Sequence, residues 1–276
     1  MPPDPLQLAV TGLFAFVLLG AAVAAQTRVI RRIARDGGQV RSADFIMPDA
    51  LVAVVLATAI TGLGISAFLR HAEKGHAVKI EQVMPGSLFF VVLAAGVAGF
   101  LQYRGLKLAP QLGLGRVPPL RVVGWALGLV LVAFALAGAA NLLTVVALHG
   151  QAEQQPLVQL FRDVAQQSDG GAIAKILLAG AVLAPICEEF IFRGFFYAVG
   201  KRYLGPLASG FASALLFAAI HDSATAFAGL FVLALCLTVA YERTGSLLVP
   251  IGMHALYNFT SLAFIYIQAR GLVPPP

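Results

Sequence analysis

Glu188, Glu189 and Arg193 stand inside the apolar run AVLAPICEEFIFRGFFYAVG, part of a helix expected over Lys175 to Arg202. Carboxylates beside a guanidinium can hold a charge pair or carry a proton, and at membrane depth each is costly. A charged side chain near the bilayer centre costs about 2.5–3.5 kcal/mol on insertion scales, so such groups face a bundle interior or a wet cavity. Residues four apart share a helix face, which predicts a Glu189–Arg193 ion pair. Glu188, turned away by about 100°, is left free. Taken alone, the trio reads equally well as a structural pair that locks two helices together.

Two further pairs carry polar chemistry. Phe217 and His221 stand four apart at the end of one later apolar run, and His254 and Asn258 stand four apart inside another, so each pair lies on one helical face. A single histidine in a membrane helix more often packs than reacts. These residues, however, are nearly all the strongly polar side chains of the last four runs, and they meet only if those helices pack together. The sequon Asn-Phe-Thr at Asn258 falls within an apolar helix and is a chance match.

The elements that must position them are membrane helices. Of the 276 residues 59% are hydrophobic and 12% charged, against about 25% charged in a soluble domain, and the mean hydropathy is +0.86. The apolar runs are continuous, about 16–27 residues each, which excludes a β-barrel of short alternating strands. The expected fold class is all-α, a polytopic membrane helix bundle of about eight spans in the cell (inner) membrane, with the lipid bilayer as partner. The net charge of +6 does not point to nucleic acid, because the basic residues sit in short loops between apolar runs. Cys187 and Cys236 lie within apolar runs, where small packed side chains are expected instead of a disulfide.

The expected spans are Leu6–Ala25, Ala50–Leu69, Leu88–Tyr103, Val122–Leu148, the glutamate-bearing helix Lys175–Arg202, Pro206–His221, Thr225–Tyr241 and Leu247–Ile267. The first reads as a retained span, since its arginines follow it and MPPDP has no basic n-region. Arg28, Arg31, Arg32, Arg35 and Arg41 are assigned to the loop after it. His71 and His76, spaced i, i+5, are assigned to a solvated loop and not to a metal site. Trp125 suits an interfacial anchor. In the polar stretch His149–Gly171, Leu157, Leu160, Phe161 and Val164 recur at helical spacing, which predicts a short amphipathic helix at the interface or over an entrance.

Positive-inside counting places both termini outside. Twelve basic residues then face the cytoplasm (Arg28, Arg31, Arg32, Arg35, Arg41, Arg104, Lys107, Arg116, Arg121, Lys201, Arg202, Arg243), against six on the other side (Arg70, Lys74, Lys79, Arg162, Lys175, Arg270). The chain divides into an N-terminal transmembrane region, 1–171, of about four spans with the amphipathic loop, and a core, 172–270, of about four. No internal repeat is visible of the kind that marks many secondary transporters.

Glu188-Glu189-x-x-x-Arg193, Phe217-x-x-x-His221 and His254-x-x-x-Asn258, in that order on successive helices, resemble the three motifs of the CAAX protease and bacteriocin-processing (CPBP, Abi) family of intramembrane metalloproteases. That family includes the type II CAAX prenyl endopeptidases. The resemblance covers Ala172 to Ile267 with no departure at a motif position. It implies an intramembrane endopeptidase acting on a peptide or lipidated protein substrate, with Glu188, Glu189, Arg193, His221, His254 and Asn258 as its site. Glu188 would be the general base and His221 would help to position the water. His254 and Asn258 would donate to the oxyanion, and Glu189 with Arg193 would be the brace.

Zn2+ is one cofactor the resemblance allows, with Glu188, His221 and His254 as candidate ligands; the same residues also suit a metal-free, glutamate-dependent site. From other classes, a proton-coupled transporter would use these groups as a relay, and a noncatalytic scaffold or immunity protein would carry them without turnover. One point of geometry is strained. Glu188 lies 20–25 Å along its helix from the outer end, at about 1.5 Å per residue, whereas His221 falls near that end if its helix starts at Pro206. Either Pro185 kinks the fifth helix or the sixth begins or tilts differently.

Overall fold

The computed structural model describes residues 5–74, 78–148, 155–221 and 223–273, which are helical with short connections and contain no strand. In chain order the helices are α1 (Pro5–Asp36), α2 (Met47–Lys74), α3 (Ile80–Tyr103), α4 (Pro119–Ala147) and α5 (Pro156–Gln167). A helical run, Gly170–Ala219, follows and divides at Gly205 into α6 (170–204) and α7 (206–219). Then come α8 (Phe227–Thr244) and α9 (Leu248–Ala269). Among the described residues six runs are long and apolar enough to cross a bilayer. Leu51, Val54, Leu88, Val92, Leu131 and Leu143 point outward and are exposed, as a lipid-facing surface requires. The protein is an integral, multi-pass membrane protein.

Burial puts α8 at the centre. Its apolar window is 56% buried, against 11% for α2 and for α3, and α4, α7 and α9 all pack on it. Small residues permit the closest approach: Ala126, Ala133 and Ala137 of α4 meet Leu233, Leu237 and Ala240 of α8 and Val249 and Met253 of α9. The amphipathic helix expected before the core is α5. It buries Phe161, Val164 and Ala165 and packs against α6 and α9.

Several expected boundaries move. Arg28, Arg31, Arg32 and Arg35 are not in a loop; α1 carries them as far as Asp36, because arginine is a good helix former and nothing stops the helix before Gly37 and Gly38, both at positive φ. Likewise α2 runs through Arg70 and His71 to Lys74, while His76 lies outside the described residues.

The strained geometry resolves at Gly205. Gly205 has φ 79° and ψ 169°, a conformation open to glycine, and Pro206 then opens α7. Glu188 lies 17 residues before Gly205 and His221 lies 16 after it, so each stands about 24 Å from the hinge. They are level because they are the two arms of one hairpin. The second arm, at 14 residues, is about 21 Å long and falls short of a 30 Å hydrocarbon core, and the chain turns back through 220–226 at the level of Glu188. Ser209 Oγ donates to the Tyr197 carbonyl (2.7 Å) and Ser213 Oγ to that of Phe192 (3.0 Å), and these rungs fix the register of the arms.

Pro185 has a different effect. A proline inside an α-helix clashes with the carbonyl four residues back and offers no N–H. Just before it α6 widens into a π-turn, Ala179–Leu183, in which the Ala184 N–H reaches the Ala179 carbonyl. The next carbonyl, Gly180, would need the N–H of Pro185, which does not exist. Asn258 supplies the missing donor, its Nδ2 lying 2.8 Å from that oxygen. A second π segment, Phe190–Tyr197, follows the glutamates.

The hinge end of the bundle is tied by a buried carboxylate. Glu242 of α8 accepts from the Gln39 and Val40 amides (2.5 and 3.0 Å), from the Tyr197 hydroxyl (2.5 Å) and from Lys201 Nζ (2.5 Å). Lys201 also donates to the Val40 carbonyl (2.8 Å). Gly38 adopts φ +70°, and a side chain there would strike the Glu242 carboxylate. Arg104–Asp49 and Arg116 with Gln39 lie at the same end, so residues from the twelve-member basic set gather together. Tyr197→Phe should lower stability by about 1.5–3 kcal/mol, the worth of a hydrogen bond to a charged group. Cys187 and Cys236 are buried free thiols, so a thiol-reactive fluorophore followed through thermal unfolding reads this directly.

Candidate active site

The site forms around a cavity of about 530 Å³ lined by residues of α4, α5, α6, α8 and α9 and of the turn after α7. Glu188 is 8% exposed and opens into it, whereas Glu189, one residue on, is wholly buried behind the wall. The expected pair is present: Arg193 Nη1 lies 2.9 Å from Glu189 Oε1 with both side chains fully buried. The guanidinium also donates to the Ala234 carbonyl of α8 (3.1 Å) and lies over the Phe217 ring of α7, 4.6 Å from its centroid. One side chain thus joins three helices, which a local spacing rule did not anticipate.

His254 joins the two carboxylates. Its Nδ1 is 2.9 Å from the same Glu189 oxygen that receives Arg193, and its Nε2 is 3.8 Å from Glu188 Oε2, too long for a direct hydrogen bond. A carboxylate only accepts, so Nδ1 carries a proton and Nε2 is the atom turned toward Glu188. His221 has the same polarity. Its Nδ1 donates to the Phe217 carbonyl (2.6 Å), and its ring lies 4.5 Å from that of Phe217. Both imidazoles are therefore anchored through Nδ1. Asn258, anchored on Gly180, completes the wall beside His254.

Five of the six expected residues lie on helices, and His221 lies in the turn after α7. Irregular backbone at membrane depth is tolerated where it lines a cavity, and His221, Thr225 and Ala226 line this one. Four of the six, Glu188, His221, His254 and Asn258, face the cavity; Glu189 and Arg193 stand behind it. Histidines anchored through Nδ1, with Nε2 left over, have the chemistry of metal ligands. The spacing differs: among the described residues no three His, Cys, Asp or Glu side chains stand together closely enough to hold an ion. The candidate ligands Glu188, His221 and His254 line one cavity without closing on a common point.

Asn141 is a cavity residue that motif spacing did not single out. It is the one amide in the apolar run of α4, which is the signal that identifies it. Its Oδ1 is buried without a partner, and its carboxamide lies flat on Gly229 of α8, where a methyl group would collide with it. Gly229→Ala should therefore cost about 1–3 kcal/mol as an overpacking change and tilt Asn141 into the cavity. Thermal unfolding and a substrate titration of the variant, compared with Asn141→Ala, check this.

These features define a class: an integral membrane protein with a carboxylate–histidine cavity sunk among apolar helices. A family model described as type II CAAX prenyl endopeptidase Rce1-like matches residues 171–260, a stretch holding all six residues. Over that stretch, less than half of the chain, the protein is similar to a family of intramembrane proteases. Neither a curated protein nor a solved structure matches the chain.

Proposed function

We propose that the protein hydrolyses a peptide bond of a membrane-associated or prenylated, CAAX-type substrate, using water activated by Glu188. The observation that carries this reading is the division between adjacent carboxylates. Glu189 is occupied by Arg193 and His254, while Glu188 has no such partner and opens into the cavity. Glu188 takes a proton from water as the oxygen attacks the carbonyl carbon, with His221 Nε2 holding the second hydrogen. Glu188 then returns that proton to the amine as the C–N bond breaks, giving a carboxylic acid, which keeps the second hydrogen, and an amine. His254 serves the oxyanion from Nε2 when it carries its second proton, and Glu189 at 2.9 Å supplies the counter-charge. Asn258, one N–H of which donates to the Gly180 carbonyl, has its second N–H to share that load. Val145, Leu157, Val158, Leu230, Leu262 and Ile265 line the rest of the cavity and suit an apolar chain or lipid group.

The test is cleavage of a panel of farnesylated and unmodified peptides by the purified, reconstituted protein. Products of a single internal cut support the reading, and farnesyl dependence identifies the lipidated class. A parallel chelator titration reads whether a metal takes part. Absence of cleavage together with pH-driven flux in sealed vesicles would replace the protease by a proton-coupled transporter. Absence of both would leave a scaffold.

A further inference from the structure

A second cavity, of about 310 Å³, lies at the hinge end of the bundle and shares no lining residue with the site above. It is lined by Ala25, Arg28, Val29 and Arg32 of α1 and Arg243 of α8. Arg28 and Arg32 are one helical turn apart and share a face. Three guanidinium groups therefore bound one small volume. Among the described residues no carboxylate forms an ion pair with any of them. Glu242, next to Arg243 in the chain, is committed to Lys201, Tyr197 and the Gln39 and Val40 amides. Three like charges around one cavity repel, and an anion that fills it removes that repulsion.

Depth selects the anion. Arg28 is the first charge beyond the apolar run of α1. The Arg243 guanidinium stacks over Trp125, 4.9 Å from the ring centroid, and tryptophan marks the headgroup level. Ala25 and Val29 add an apolar side to the same opening. We infer that Arg28, Arg32 and Arg243 form a binding site for the phosphate of an anionic phospholipid headgroup. Guanidinium forks match phosphate oxygens, and basic pockets between membrane helices take such headgroups.

Trp125 is the only tryptophan of the chain, so it reports on this site alone. The full-length protein is reconstituted in phosphatidylcholine vesicles containing brominated phosphatidylglycerol or, at equal mole fraction, brominated phosphatidylcholine. The expected result is preferential quenching of Trp125 by phosphatidylglycerol, about fivefold or more over its bulk fraction. That preference falls to about one in the double variant Arg28→Gln, Arg32→Gln. Arg243→Gln, which leaves α1 unchanged, should reduce it as well. Equal quenching by the two lipids, or a preference that survives both variants, overturns the site. Millimolar inorganic phosphate or glycerol phosphate that abolishes the preference would assign the pocket to a soluble phosphate and overturn the lipid assignment.

Discussion

Glu188→Gln is expected to lower peptide hydrolysis by about 10³-fold, the middle of the range for loss of a general acid–base group, while leaving the unfolding temperature within a degree or two of the parent (an order-of-magnitude tolerance for a near-isosteric change). The two halves of that expectation have separate causes. Glutamine keeps the volume and a hydrogen-bonding oxygen at the cavity wall, so packing is preserved. It has no basic carboxylate to take the proton of water, so the chemical step fails. Among the described residues Glu188 has no hydrogen bond to lose; His254 Nε2 lies 3.8 Å from its Oε2. A variant that is inactive and also markedly destabilised would make Glu188 a structural residue. A variant that remains fully active would remove it from the reaction altogether.

The largest effect on stability is expected at the brace. Arg193→Met leaves the Glu189 carboxylate in a site with no solvent access, and breaking a buried pair by removing one partner costs about 3–5 kcal/mol. It also strips a donor from the Ala234 carbonyl and the cation from the Phe217 ring, both of which tie α6 to its neighbours. The double variant Glu189→Gln, Arg193→Met should be less destabilised than the sum of its single changes, because no uncompensated charge remains. Thermal unfolding followed through Cys187 and Cys236 measures all three proteins. If the double variant simply adds the two single losses, the pair is not coupled and the brace is misassigned.

The sequence carried the helices and the site to different extents. Apolar runs found the helices, since hydropathy is what inserts them. Among the described residues, however, six runs and not eight are long and apolar enough to cross a bilayer, and polar ends were misread, as at α3, which starts at Ile80 and not at Leu88. Arg28 to Arg35 were placed in a loop because charge and loop coincide in short connections. In α1 the helix simply continues beyond the apolar run. The Glu189–Arg193 pair was legible because it is local, four residues apart on one helix. Contacts between helices were not: His254 on Glu189, Arg193 on Ala234 and Asn258 on Gly180 span 65, 41 and 78 residues. The Glu242–Lys201–Tyr197 cluster went unseen for the same reason. Lysine and glutamate at run ends look solvated until a third segment, here 38–40, closes over them.

The hinge at Gly205 also says where this chain tolerates added length. His221 is level with Glu188 only because the two arms are measured from one pivot. Two residues inserted into α7 would slide His221 by about 3 Å and swing it by about 200°, taking it off the cavity. The same residues added at the pivot would alter neither arm. Arg202, Tyr203 and Leu204 before it are exposed, as permissive insertion points are. An epitope tag or reporter is best placed there, while a deletion of equal size in either arm would misalign the glutamate and the histidine.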